Sequence, residues 1–550
     1  MKDIQSNCDK CSERARFGCP CCNNAFYCSS ACHESDWERH QYDCTPYTIH
    51  FEDRVGRLLI ANRDIEAGEI LFEDKPGAIG PDNNPKPCCL GCYKRMTGMC
   101  QYYCSKCDWP LCSVKCETGS MHERECSFFQ LHKPKFNIND FRRACPSYNS
   151  IMTLRALWLR ENDSERWTMI DKLMDHLEAV DISSTKMEVV DFIRDNCKLT
   201  QFSEKEILHV LGIIDTNAYI VGENPNKDID IQGVYPITSI LNHSCTGNTL
   251  CYALEDYTFV CRAVTSIKRG EELTTNYLHY HYHFFGSSYR LKDCASFWHF
   301  RCSCKRCTDS TEFNTNVDAI VCQDCAKVHG LDEAGYLLPM STSAPNSDWV
   351  CSKCFTNISY YDIQELLDEW WDTIDNVPKY DVPLLERKHH ELINYFKPSH
   401  YYVMEIKRRL ITNIGETKGY EIESVARPWL EKKIEYCREH LQLQKVLAPG
   451  FSEYRAYISS HLAEALYYLT IKDKKLGSID IDTAISRMEE VAEHLLVVIN
   501  VWDKYRKRSD EQKVAENARK LLEKVDNSYL HRNYALKLDE GFLLHNGKLI

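Results

Sequence analysis

Cysteine spacing constrains this chain before any other feature does. Its 550 residues include 31 cysteines, and most of them fall in pairs two or three residues apart, some completed by a histidine. That is zinc-ligand spacing rather than a disulfide framework. Cys8-x2-Cys11, Cys19-x2-Cys22, Cys28-x3-Cys32 and His40-x3-Cys44 offer eight ligands, enough for two ions. A segment this short and polar cannot bury a core, so metal binding must supply its folding free energy. The set then returns as Cys89-x2-Cys92, Cys104-x2-Cys107, Cys112-x3-Cys116 and His122-x3-Cys126, an internal repeat matched pair for pair. Further on, Cys245 and the tight cluster Cys302, Cys304 and Cys307 give four sulfurs for one tetrahedral zinc, and Cys322, Cys325, Cys351 and Cys354 bracket a loop of zinc-ribbon length. About six zinc ions are expected. The remaining cysteines, Cys21, Cys88, Cys100, Cys145, Cys197, Cys251, Cys261, Cys294 and Cys437, read as buried or spare thiols, and a reducing compartment suits both groups.

Hydrophobic content of 43% and charged content of 27% are those of a soluble globular chain with length for three or four domains. The net charge of −13 implies no overall basic nucleic-acid surface; it suits a lysine-rich partner or a plain solvated surface equally. No apolar run reaches membrane-spanning length and Met1 to Ser6 opens no signal peptide, so an intracellular protein of the nucleus or cytoplasm, or both, is expected.

The stretch from Tyr235 to Tyr277 sets a polar cluster between apolar, strand-like runs. It holds Tyr235-Pro236, Asn242-His243-Ser244-Cys245, Asn248 and Gly270-Glu271-Glu272-Leu273-Thr274-Thr275-Asn276-Tyr277. Asn and His offer neutral donors and acceptors for a polar cofactor, and a tyrosine hydroxyl can orient an amine. After Pro46, Val55–Ala61 and Ile70–Glu73 predict two short strands around a glycine turn. Residues 137–216 turn helical: Ile151, Leu154, Leu157 and Trp158 share one face, as do Ile170, Leu173 and Leu177, and Thr185 to Glu188 and Ser203 to Glu206 both read as capping boxes. Beyond Tyr360 the pattern is all helix, with faces at Ile363, Leu366, Leu367, Trp370 and Ile374 and at Leu462, Leu466 and Leu469, punctuated by Pro383, Pro398, Pro428 and Pro449. Ser341 to Asp348 is expected to be a flexible tip.

The order of these motifs resembles the SET-and-MYND protein lysine methyltransferases, and duplicated fingers resemble their insect or arthropod branch. The resemblance implies an α+β multidomain fold: a first MYND-type finger (1–45), the N-terminal part of a SET domain (46–86), a second finger inserted into it (87–128), a helical SET insert walling the substrate cleft (129–214), the SET core with its post-SET zinc site (215–310), a zinc ribbon (311–358) and a TPR-like C-terminal helical domain (359–550). It also implies interleaved ligation in each finger. In the first, Cys8, Cys11, Cys28 and Cys32 would hold one ion and Cys19, Cys22, His40 and Cys44 the other. Such fingers either staple a spacer or bind proline-containing peptides.

By the same resemblance Gly56, Arg57, Asn217, Asn242, His243 and Tyr277 line the S-adenosylmethionine site, Phe300 packs on the adenine, and Tyr277 is the catalytic-site tyrosine. The chain departs from the family at three positions. Leu58 stands where a second glycine is expected, and a side chain there would obstruct close approach or force an unfavourable dihedral. Trp298 replaces a second active-site tyrosine and Gly247 a proline. The function implied is S-adenosylmethionine-dependent methylation of a protein lysine, with histones as possible substrates and a role in transcriptional regulation. The alternative, motivated by Leu58 and Trp298, is a zinc-rich adaptor with a degenerate SET domain.

Overall fold

In the first finger the chain turns back on itself within five residues of Cys8, because the Ser12 N–H bonds to the Cys8 carbonyl at 2.8 Å with Ser12 at φ 64°. The second finger repeats this at Tyr93 and Cys89, at 2.6 Å and φ 56°. Single bridges Asn7 to Arg14 and Cys88 to Arg95, and two-residue hairpins Phe17–Gly18 with Phe26–Tyr27 and Tyr102–Tyr103 with Pro110–Leu111, complete the duplication. The copies differ in their helices. The first runs unbroken over Ser30–Cys44, whereas in the second extended Gly119 separates Val114–Thr118 from the turn Ser120–His122 and the helix Glu123–His132.

This computed structural model describes residues 6–19, 25–53, 55–82, 85–98, 102–134, 143, 145–178, 184–223, 229–342, 344, 346–505, 509–530, 544–545 and 548–549. The chain divides into two compact units, Met1–Asn242 with Cys251–Thr274 and His243–Leu250 with Thr275–Ile550.

The first unit holds both fingers, short antiparallel sheets and the helical insert. Gly56, at φ 83°, turns the hairpin from Tyr47–Glu52 into Gly56–Ala61, whose Leu59 then pairs with Leu273. Ile70–Asp74 pairs instead with Phe259–Ala263, so the two strands predicted after Pro46 form but belong to different sheets. A third sheet runs Ala78–Pro81, Asp230–Val234, Tyr219–Glu223.

The insert comprises the helices Ser150–Asn162, Ser164–Asp171, Ser184–Asp191 and Glu204–Asn217. Ile151, Leu154, Leu157, Ile170 and Leu173 are buried as their spacing predicts, and Trp158 packs against the same core. Ser203 and Glu206 close a full capping box. Thr185 does not: the helix already includes Ser184, so Thr185 lies within its first turn. Residues 137–142 of the predicted helical stretch lie outside the described residues.

The second unit carries a four-stranded antiparallel ribbon, Ile320–Val321, Tyr336–Pro339, Trp349–Cys351 and Asn357–Ile358. At its tip Arg301 donates to the Thr342 and Ala344 carbonyls at 2.8 and 3.3 Å. Helices follow at Tyr360–Asp375, Val382–Leu392, Tyr401–Glu416, Arg427–Leu447, Glu453–Lys475, Ile481–Trp502 and Asp510–Val525. Pro383 and Pro428 sit in the first turns of two of them, where no intrahelical N–H is missed. Ile363, Leu367 and Ile374, and Leu462, Leu466 and Leu469, are the buried faces. Among the described residues no helix is long and apolar enough to cross a membrane.

Candidate functional site

Sulfurs around a tetrahedral zinc with bonds of 2.3 Å stand about 3.8 Å apart. Every described cysteine is a free thiol, and their groupings match that spacing. Cys8, Cys11, Cys28 and Cys32 converge, with Sγ separations of 3.4, 3.5 and 3.7 Å. Cys89, Cys92, Cys112 and Cys116 form one set of the second finger, and Cys104, Cys107, His122 and Cys126 the other, with Cys107 Sγ 3.3 Å from His122 Nε2. Cys245 groups with Cys302, Cys304 and Cys307, and Cys322 with Cys325, Cys351 and Cys354. These donor sets fit zinc. In the remaining set Cys22 lies outside the described residues; Cys19 Sγ is 3.5 Å from Cys44 Sγ and 3.4 Å from His33 Nε2, and His40 is buried.

The second finger is wired into its unit. His122 Nδ1 meets Glu125 Oε1 at 2.9 Å, and Arg155 grips both oxygens of Glu125 at 2.6 Å. Arg155 also donates to the Ile79 carbonyl at 2.6 Å, the Tyr93 hydroxyl at 2.7 Å and the Leu90 carbonyl at 3.2 Å. Burial raises the Glu125 carboxyl, but the Arg155 charge outweighs it and holds the group at about 2. A ligand histidine whose second nitrogen meets an anchored carboxylate is fixed in ring orientation.

In the second unit His243, Cys245 and Tyr277 meet. The Tyr277 N–H donates to His243 Nδ1 at 3.0 Å, so the ring proton sits on Nε2, which lies 3.3 Å from Cys245 Sγ. Both His243 nitrogens are therefore spent, one on the tyrosine backbone and one on a zinc-ligand sulfur. His243, Trp298 and Phe300 stand around the Tyr277 ring, at centroid distances of 5.2, 5.4 and 6.3 Å. His299 brings the last two to one ring. It ends the helix Ser287–Trp298 in the left-handed conformation, φ 58°, reversing the chain between them. Gly247 permits the loop's approach, because a Cβ there would stand 2.8 Å from the Thr275 carbonyl carbon.

The other candidate residues lie in the first unit. Asn242 Nδ2 donates to Glu272 Oε1 at 2.8 Å and to the Arg57 carbonyl at 3.5 Å, bringing Asn242 and Arg57 together beside Gly56. Arg57 Nη1 is held by the Met169 carbonyl at 3.0 Å, and its Nη2 is buried with no hydrogen-bond partner. Asn217 belongs to another network: its Nδ2 donates to the Met174 and Ile213 carbonyls, both at 2.8 Å. Asp74 shapes the approach to Asn242 by accepting from the Ile237 and Thr238 N–H groups at 2.8 Å; burial raises its carboxyl. At Leu58 the unfavourable dihedral does not arise. The left-handed backbone falls on Gly56, while Leu58 sits within a strand opposite His50, outside the positive-φ region, with its side chain buried.

The SET domain family matches residues 56–278, and the MYND finger family residues 8–44. The chain is similar to SET domain-containing protein SmydA-8, isoform A, of Drosophila melanogaster: 26% identical over 367 residues, 65% of this chain and 76% of that one. It is 22% identical to histone-lysine N-methyltransferase ASHR1 of Arabidopsis thaliana over 331 residues, 53% and 67% of the two chains. It is 26% identical to N-lysine methyltransferase SMYD2-B of Xenopus laevis over 270 residues, 46% and 58%. A solved structure, the SET domain of LSMT bound to lysine and AdoHcy, aligns at 13% identity over 94% of this chain and 97% of that one, with a TM-score of 0.22, too low to bear on fold or site.

Proposed function

The chain belongs to the SET-and-MYND family, and on that premise we propose that it is an S-adenosylmethionine-dependent protein-lysine N-methyltransferase. The observation that carries the reading is the Tyr277 ring, anchored through His243 and walled by Trp298 and Phe300. When bound, S-adenosylmethionine supplies an electrophilic methyl group on a sulfonium. In the first unit Arg57, Asn217 and Asn242 are the residues that would hold it; in the second, Phe300 is the residue that would pack on its adenine. The buried, unpartnered Arg57 Nη2 suits a carboxylate, and the Oδ1 atoms of the two asparagines remain as acceptors for ammonium, hydroxyl or amine donors.

A lysine ammonium, with an unperturbed pKa of about 10.4, must lose its proton before it can attack. An apolar channel walled by Trp298 favours the neutral amine by desolvation, and the Tyr277 hydroxyl orients it. Trp298 keeps the wall and one N–H donor in place of a phenolic oxygen. Histones are the first acceptors to test, with transcriptional regulation the corresponding role in the nucleus or cytoplasm. The domain succession stated above, including a TPR-like helical array that limits which peptides enter and fingers that take proline-containing peptides, is part of the same reading. Duplicated fingers and the Drosophila relative support the insect branch. The adaptor alternative keeps as motives Trp298 and the bulk of the Leu58 side chain, although the Leu58 backbone is unstrained.

The test is transfer of labelled methyl from S-adenosylmethionine to histones and other lysine-rich proteins by zinc-replete full-length protein. Incorporation at lysine that falls at least tenfold in Tyr277→Phe is expected. No incorporation into any acceptor, or an undiminished Tyr277→Phe, would count against the assigned chemistry.

A further inference from the structure

Arg290 is among the largest fully buried side chains, and three of its nitrogens are committed. Nε donates to Cys245 Sγ at 3.2 Å, Nη2 to Cys307 Sγ at 3.3 Å, and Nη1 to Glu312 Oε2 at 2.8 Å and to the Phe285 carbonyl. Glu312 is buried too and is shared with the buried Arg306, whose Nε donates to it at 2.6 Å; Glu312 also accepts the Ser287 N–H at 2.5 Å. Arg306 in turn holds the His283 and Phe285 carbonyls at 2.5 and 2.7 Å. All of these residues lie in the second unit.

The charges explain the arrangement. A zinc ion bound by four thiolates carries a net charge of −2, and Cys245 and Cys307 are each about 1% exposed, so that charge sits away from water. Two arginines bring positive charge beside it, set against Glu312 and a second buried carboxylate, Asp318, which accepts from Ser287 and Ser288. Arg290 is the member that delivers this charge to the sulfurs themselves, by two N–H groups of one planar fork. Cys245 is the junction, because its sulfur lies within reach of both Arg290 and His243 Nε2. His243 then holds the Tyr277 backbone.

We infer that Arg290 is a positioning residue for methyl transfer: by neutralising and orienting the Cys245 and Cys307 thiolates it keeps the zinc centre closed, and through Cys245 it keeps His243 and Tyr277 in register. This rests on the reading of the four cysteines as a zinc site. No substrate contact is assigned to Arg290; its action passes through the metal ligands.

The test follows alkylation of individual cysteines by mass spectrometry in zinc-loaded, full-length protein challenged with a chelator. Arg290→Met should speed alkylation of Cys245, Cys302, Cys304 and Cys307 by about 10- to 100-fold, the usual cost of losing such a supporting contact. Cys322, Cys325, Cys351 and Cys354, in the same chain, should keep their wild-type rates. Arg290→Lys, which retains the charge but not the fork, should fall between. Methyl transfer should drop in the same order, with rescue by lysine. Wild-type alkylation rates in Arg290→Met would overturn the inference. If the methionine variant loosens the ribbon cysteines as well, Arg290→Lys decides: selective acceleration at the four supports the inference, and wild-type rates overturn it. Free-thiol alkylation of the four cysteines in the unmutated protein before any chelator would instead remove the zinc premise, an outcome distinct from failure of the Arg290 role.

Discussion

Replacing Arg155 by methionine should cost the first unit a large share of its stability. The guanidinium is about 1% exposed and makes five hydrogen bonds, to both oxygens of Glu125, to Tyr93 and to the Leu90 and Ile79 carbonyls. Methionine fills much of the volume but leaves the Glu125 carboxylate, wholly buried, with His122 as its remaining partner. Breaking a buried ion pair from one side costs about 3–5 kcal/mol, against a typical domain stability of about 5–15 kcal/mol. Removing both charges in Arg155→Met with Glu125→Met should recover more than half of the loss, because no unpaired charge is then left inside. The assay is urea unfolding at fixed excess zinc, with hydrogen exchange over residues 102–134 and 145–162 reporting where the loss falls. A single-variant loss below about 1 kcal/mol, or a double variant worse than the single one, would refute the account of the second finger as anchored through its zinc ligand.

Acidification should destabilise the second unit. Burial holds His281, His283 and His440 down at about 3, so they fold neutral while the unfolded chain protonates near 6.5. Their stabilisation is complete above that pH and is lost as pH falls toward 3, each site giving up about 1.4 kcal/mol by pH 5.5. Glu453, raised to about 7 by burial, works in the opposite direction and returns about 2 kcal/mol over the same range. The net loss between pH 7.5 and 5.5, measured by urea unfolding, should therefore be at least about 2 kcal/mol, and a flat profile would contradict the buried neutral histidines. Gly247→Ala should lower methyl transfer more than stability, because the new Cβ meets the backbone at Thr275 and Asn276 at 2.8 to 3.0 Å and displaces the residues leading into Tyr277; overpacking of this kind costs about 1–3 kcal/mol, and an unchanged rate would show the contact to be slack.

The zinc ligands were legible because their information is local: a pair two or three residues apart specifies a metal corner wherever it lies in the chain. The Asn-His-Ser-Cys loop and Tyr277 were legible from motif order. What spacing could not reveal is what supports them. Arg155, Arg290 and Arg306 look like ordinary polar positions of helices and loops, and their burial depends on carboxylates as much as 30 residues away, Glu125 and Glu312. The Leu58 dihedral escapes the sequence for a related reason, since which residue takes the left-handed turn depends on the pairing partner, and the hairpin register gives it to Gly56. Thr185 shows the same limit at a helix end, where the preceding residue had already entered the helix.

The claim at the centre of the account is that these residues serve a bound methyl donor. Calorimetric titration of S-adenosylmethionine into zinc-replete, full-length protein tests it directly. The account predicts saturable binding of one molecule per chain, weakened at least tenfold by Arg57→Met, which removes the buried unpartnered donor. Absence of binding in a folded, zinc-loaded sample, or equal affinity in Arg57→Met and in Asn242→Ala, would contradict it.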